Sequence, residues 1–225
     1  MLPDLIQQFR RDLKRFALMF GVCVGLMILA PFGHYFAADL EYGFLRDKRE
    51  FFFESGYYLG FYAHIVGAPI AFLVGTMQVS RTLRGKWPWL HRWLGRCYCC
   101  CVLFAATPGG LVMGLRAYGG LPSVLCFTLL AVLTWISTLL GWRFGRLGNA
   151  RLHARWMLRS YLLISSAIFL RLLFPLFGTI GLAHQMTYQL SVWASWLIPL
   201  CLLEVGNWRR DRHAITCAFV ANHSE

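Results

Sequence analysis

Two histidines stand in matching surroundings. His91 opens the run His91–Arg92–Trp93–Leu94–Gly95–Arg96–Cys97–Tyr98, and His153 opens His153–Ala154–Arg155–Trp156–Met157–Leu158–Arg159–Ser160–Tyr161. Both runs contain W-x-x-R-x-Y, beginning at Trp93 and at Trp156, with the histidine two or three residues upstream. An imidazole offers a lone pair to a metal, and a guanidinium offers a planar fork to a carboxylate or phosphate. Imidazoles from facing helices are the axial ligands a helical bundle gives to b-type haem, and neighbouring arginines can pair its propionates. The expected chemistry is therefore haem-linked or quinone-linked electron transfer. His91 and His153 would be the iron ligands, with Arg92, Arg96, Arg155 and Arg159 around the anionic edge of the group. The alternative uses the same constellation without a cofactor, to bind or carry an anionic lipid or small molecule. A further alternative is an accessory subunit of a larger membrane complex.

A second polar site is expected from His64 and Arg171, both inside apolar runs. A guanidinium in hydrocarbon costs about 2.5–3.5 kcal/mol on insertion scales, so it faces inward and is paired. At the rise of a helix, Glu204 falls about 15 Å from the level of Arg171 along the membrane normal, too far for a comfortable ion pair. An external anion, or helix carbonyls freed near Pro175, would satisfy Arg171. Cys97 and Cys101 share a helix face at i, i+4, which makes a metal site conceivable, although buried cysteines mostly act as small hydrophobes. No pair of acids at one depth, glycine-rich phosphate loop or G-x-S-x-G elbow occurs, so hydrolytic and phosphoryl-transfer signatures are missing. The catalytic residues, if there are any, are unknown.

The elements that must position these groups are set by composition. Of 225 residues, 58% are hydrophobic and 14% charged, against about 25% charged in soluble domains. Runs free of Asp, Glu, Lys and Arg cover 16–38, 55–80, 97–115, 117–142 and 172–203. A spanning helix needs about 20 apolar residues. The last run is too long for one helix, and Gly178, Gly181 and Ala183–His184–Gln185 mark a turn inside it. Six spans follow: 16–38 as a retained signal anchor, 57–79, 97–117, 121–143, 160–181 and 186–206. Pro88 and Asn149 are expected to begin the helices bearing His91 and His153.

The net charge of +12 sorts by side. The N-terminal segment, the loops at 81–96 and 143–159 and the C-terminal tail carry most of the arginines, while the opposite loops carry few. Positive loops stay cytoplasmic, so both termini are expected inside a cell (inner or plasma) membrane that the chain crosses several times. The basic charge then meets anionic lipid headgroups, with no call for nucleic acid. The fold class is all-α integral membrane with six transmembrane helices. The two W-x-x-R-x-Y units, spans two–three and four–five, would form a parallel repeat. The expected division is 1–56 for the anchor helix and extracytoplasmic interfacial loop, 57–206 for a five-helix membrane core, and 207–225 for the tail. Expected partners are the bilayer with its anionic lipids, and other membrane proteins or a second copy.

Several short motifs carry a resemblance: H-I-x-G-A at His64–Ala68, L-H-R-W-L-G-R-x-Y at Leu90–Tyr98, and H-x-R-W-M-x-R-S-Y at His153–Tyr161. The F-L-R-L-L-x-P-L stretch around Arg171 and the W-x-x-W followed by Glu204 add to it. Over roughly 57–206 the chain resembles the predicted membrane protein family known as domain of unknown function 2306. The resemblance implies a multi-helix membrane domain whose polar positions include His64, His91, Arg92, Arg96, His153, Arg159, Arg171 and Glu204, and it brings no reaction. The layered histidines also resemble, distantly, membrane cytochromes of the b561 and ferric-reductase type, although span four has no histidine.

Overall fold

A computed structural model of the chain describes Gln8, residues 30–54 and residues 56–222, with side chains as far as Arg212. Every regular element among the described residues is helical. The chain divides into two compact units, Met1–Gly56 and Tyr57–Glu225.

In the first unit, two short helices, α1 (Phe32–Phe36) and α2 (Gly43–Arg46), are joined by tight turns. His34 stacks on Tyr42 with ring centroids 3.8 Å apart and lies 3.0 Å from the Asp39 carboxylate. This contact lowers the Asp39 pKa below the usual carboxylate value, helped by the Glu41 amide. The expected anchor helix at 16–38 lies largely outside the described residues.

The second unit is a helical bundle. Its helices are α3 (Tyr57–Gln78), the short α4 (Arg81–Lys86), α5 (Pro88–Cys101), α6 (Thr107–Gly114), α7 (Leu121–Arg146), α8 (Ala150–Ile164), α9 (Ser166–Gly178) and α10 (His184–Asn222). One π-helical turn, Val102–Ala106, joins α5 to α6. Four helical stretches are long and apolar enough to cross a membrane: Tyr57–Gln78, Pro88–Gly114, Leu121–Arg146 and His184–Arg212. A fifth span forms if α8 and α9, bent by 44° at their junction, count as one. The third span begins at Pro88, nine residues before the expected 97, because the polar first turns of α5 continue the same helix. The region expected as a tail likewise prolongs α10 without a break to Asn222.

Sidedness is inverted relative to a soluble bundle. Leu59, Val66, Ile70, Leu73 and Met77 form an exposed stripe on α3, and Leu121, Leu125, Leu129, Val132 and Ile136 form one on α7. These faces meet the bilayer. The interior holds Ser123, Thr134, Thr138, Ser160, Thr187 and Ser191, all nearly or fully buried. Small hydroxyl residues let helices approach and hydrogen-bond across hydrocarbon. Close approach also explains the glycines of α3. A Cβ at Gly67 would lie 2.6 Å from the Ala105 methyl, and one at Gly75 would lie 2.6 Å from the Tyr161 ring and 2.9 Å from the Tyr98 ring.

Candidate functional site

The site takes shape where α3 ends and α5 and α8 begin. Pro88 occupies the first turn of α5, and the Asn149 side chain accepts the Leu152 amide at 3.0 Å to start α8. The Ser80 hydroxyl caps α4 in the same way. These stops place His91 and His153 one turn inside their helices, with His153 near enough to act electrostatically on His91.

The histidines are held differently. His153 Nδ1 donates to the Gly141 carbonyl of α7 at 2.8 Å, and its ring packs on Gly145, where a Cβ would lie 2.8 Å from Nδ1. His64 Nδ1 donates to the Ala106 carbonyl, the last of the π turn, at 2.7 Å. Glycines 109 and 110 of α6 give the His64 ring room to approach. A carbonyl can only accept, so both rings carry a proton on Nδ1, and in the neutral form of such a ring Nε2 keeps its lone pair. His91 lacks such an anchor: its Nδ1 is buried and has no hydrogen-bond partner among the described residues. Gln78 donates through Nε2 to the His91 carbonyl at 2.8 Å, while its own Oε1 is buried and equally without a partner. Arg84 closes the end of α3 by donating to the Gln78 and Val79 carbonyls.

The expected arginines separate into two groups. Arg159 grips Glu204 of α10 with two bonds, Nε to Oε1 at 2.5 Å and a second nitrogen to Oε2 at 2.8 Å. Arg155 and Arg151 share Asp211 at 2.5 and 2.8 Å. Three guanidiniums spaced four apart on α8 thus meet two carboxylates spaced seven apart on α10, as helix periodicity requires. Arg92 and Arg96 have no carboxylate partner among the described residues. Arg171 is exposed on α9, donates to the Ala167 carbonyl one turn back at 2.9 Å, and lies within electrostatic reach of His64. The partner of Glu204 is Arg159.

The W-x-x-R-x-Y motif resolves into a repeated local structure. Arg96 lies over the Trp93 ring at 4.8 Å, and Arg159 lies over Trp156 at 4.4 Å. The two tyrosines flank Gly75. Thr76 uses its own proton on the Phe72 carbonyl, so Tyr161 must donate to Thr76. The described residues contain no group of three or more His, Cys, Asp or Glu side chains able to hold a metal ion around Cys97 and Cys101 or elsewhere.

The pattern described as "Predicted membrane protein (DUF2306)" matches residues 61–205, well over half of the chain. The chain belongs to the DUF2306 family. No curated protein and no solved structure matches it. The DUF2306 segment runs from Phe61 on α3 to Val205 on α10, and so contains His64, His91, His153, Arg159, Arg171 and Glu204 but ends before Asp211.

Inside the DUF2306 segment, reading the residues alone misses Gln78, Tyr98, Ser160 and Thr138 as members of the polar interior. Tyr98 was visible as the last position of the motif. Gln78 carried a fainter signal, the one amide at the end of an otherwise apolar run. Asp211 falls in the segment expected as a tail, 207–225, and the structure joins it to Arg151 and Arg155 of α8.

Proposed function

We propose that this membrane protein carries a b-type haem, or a quinone close to it, at the end of the bundle where α5 and α8 begin, and that it transfers electrons. The observation that supports the reading is the pinned imidazole of His153, with His91 near it on a different helix. A metal-ligating histidine almost always donates its other ring N–H to a carbonyl, carboxylate or water. The Gly141 carbonyl does this for His153 and leaves Nε2 free. His91 would be the second ligand, its buried Nδ1 satisfied by Gln78 Oε1 after a small side-chain adjustment. Arg92, which acts electrostatically on His91 and has no carboxylate of its own, would meet a propionate. Arg155 and Arg159 hold Asp211 and Glu204 instead, and their part is to fix α8 against α10. The His64–Arg171 pair would form a second polar site. Haem supplies a one-electron iron couple when bound, and the chain's own residues orient the ligands and balance charge.

On this reading the arginine-rich ends, with both termini, face the cytoplasm of a cell membrane, and the two motif-bearing helix pairs form a parallel repeat. A second reading, binding of an anionic small molecule without a cofactor, is favoured by Arg92 and Arg96, which have no carboxylate partner among the described residues.

The deciding experiment is an absorption spectrum of detergent-purified protein, oxidised and then reduced with dithionite. A Soret band with sharpened reduced α and β bands is the expected result, abolished by His91→Ala and by His153→Ala. A preparation that stays colourless after haem supplementation sinks the haem reading and leaves the anion reading in front. Bands that survive both substitutions would displace the ligand assignment.

A further inference from the structure

The two tryptophan–arginine pairs differ in one respect. Arg159, stacked on Trp156, is neutralised by Glu204. Arg96, stacked on Trp93 in the same way, meets no carboxylate among the described residues. Beside Arg96 a cleft of about 180 Å³ opens between α5 with its π turn and α7, lined by Arg96, Cys99, Cys100, Leu103, Phe104 and Trp142. Arg96 is the only charged residue in that lining. The cleft is too small for a whole cofactor or drug-sized ligand, which needs roughly 300 Å³ or more. A length of aliphatic chain fits its size and apolar walls.

We propose that Arg96 and this cleft bind an anionic phospholipid. The phosphate takes the place at Arg96 that Glu204 takes at Arg159, and the upper part of one acyl chain enters between Leu103, Phe104 and Trp142. The contact of the guanidinium with the Trp93 ring, 4.8 Å from its centroid, restricts the side chain, so less freedom is lost when it grips a phosphate. The exposed Trp87, Trp89 and Trp93 sit on the same helix end, and tryptophans concentrate at headgroup level. That depth matches a lipid phosphate above and a chain below. The assignment does not depend on haem, which would occupy the opposite, His91-bearing side of the same helix end.

The test uses full-length protein in a non-ionic detergent, titrated with dioleoyl phosphatidylglycerol, dioleoyl phosphatidylcholine and soluble glycerol phosphate, and read by native mass spectrometry. Wild type should bind phosphatidylglycerol at least tenfold more tightly than phosphatidylcholine. Arg96→Gln should erase that preference, Arg96→Lys should restore part of it, and Arg81→Gln, at the same end but outside the cleft, should leave it intact. Cys100→Phe, at an exposed position that tolerates bulk, should weaken both lipids by filling the cleft. A preference unchanged in Arg96→Gln overturns the proposal. So does glycerol phosphate binding as tightly as the whole lipid, because the site would then be one for free phosphate. A colourless wild type that still prefers phosphatidylglycerol defeats the haem reading alone, and a haem-bearing wild type without that preference defeats this proposal alone.

Discussion

Ser160 on α8 accepts a hydrogen bond from Tyr98 on α5, with 2.7 Å between the oxygens, and both side chains are almost wholly buried. The direction follows from proton counting. Thr138 on α7 donates to the Thr134 carbonyl at 2.7 Å, so it can only accept from Ser160 at 2.6 Å. Ser160 has then used its one proton and must accept from Tyr98. Three helices are joined by one chain of hydroxyls with a fixed sense, Tyr98 to Ser160 to Thr138 to the α7 backbone.

The sense of that chain makes its members unequal. Tyr98→Phe removes the first donor and leaves every remaining group satisfied, a loss of about 0.5–1.5 kcal/mol. Ser160→Ala strands the Tyr98 hydroxyl in the interior and opens the link to Thr138, a loss of about 1–3 kcal/mol. Thermal unfolding in detergent, followed by circular dichroism, should place the Ser160→Ala midpoint below that of Tyr98→Phe. The reverse order would mean that the chain runs the other way.

Gly75 separates the two motif tyrosines, and a methyl there would press on the Tyr161 and Tyr98 rings at 2.6 and 2.9 Å. Both rings are tethered by their hydroxyls, so neither can swing aside freely. Gly75→Ala should cost about 1–3 kcal/mol through overpacking, and Gly75→Val more. Gly206, whose Cβ would meet nothing within 4 Å, is the matching control: Gly206→Ala should leave the melting midpoint unchanged or slightly raised.

Arg159 and Glu204 form the best-aligned ion pair of the bundle, with side chains 21% and 43% exposed. Solvent reaches Glu204, so the pair is worth less than a fully desolvated one; a double-mutant cycle with Arg159→Gln and Glu204→Gln should give a coupling of about 1–2 kcal/mol. The Arg155–Asp211 pair should give a smaller value, since its arginine divides one carboxylate with Arg151. Equal couplings for the two pairs would show that bidentate geometry contributes nothing here.

In the first unit, the Asp39 pKa is lowered chiefly by its contact with His34. A depressed carboxyl adds stability above its unfolded pKa, near 3.9, and that stability fades as pH falls through the lower folded value. Both groups are largely exposed, so the effect on the unit is small, and the carboxyl itself is the better reporter. Carbon-detected NMR titration should find Asp39 below the ordinary aspartate value, and His34→Ala should return it upward. An Asp39 midpoint that does not move would remove His34 as the cause.

Much of the fold was legible in the residues. Charge-free runs of span length located α3 and α7 almost to the residue, because length and apolarity are all that the bilayer demands. The turn inside 172–203 was marked by Gly178 and Gly181, the latter with a positive φ of 78°. Pro88 marked the start of α5 as a first-turn proline. The span itself reads from 97, because the arginines of the first nine residues interrupt the apolar run, yet the helix is continuous from Pro88. The bend at Ser165 had no proline to announce it, since Pro175 lies ten residues on; a serine that donates back to the Tyr161 carbonyl was the available sign. At the site, residue types and spacing identified the histidines and arginines. Which arginine had a carboxylate depended on the phase of α8 against α10, and helix phase between distant segments is a tertiary property.

The arginine ladder of α8 has a consequence for how the chain is made. Arg151, Arg155 and Arg159 precede Glu204 and Asp211 in the chain and therefore leave the ribosome before their partners do. Until α10 arrives, three cations near the head of α8 have only water and lipid phosphates to hold them, and they favour a shallow position. The arrival of α10 supplies the two carboxylates and lets α8 settle to its final depth. The seam between α8 and α10 therefore closes only once Glu204 and Asp211 have emerged, and chains cut short before Glu204 should be surveyed by membrane proteases as unfinished.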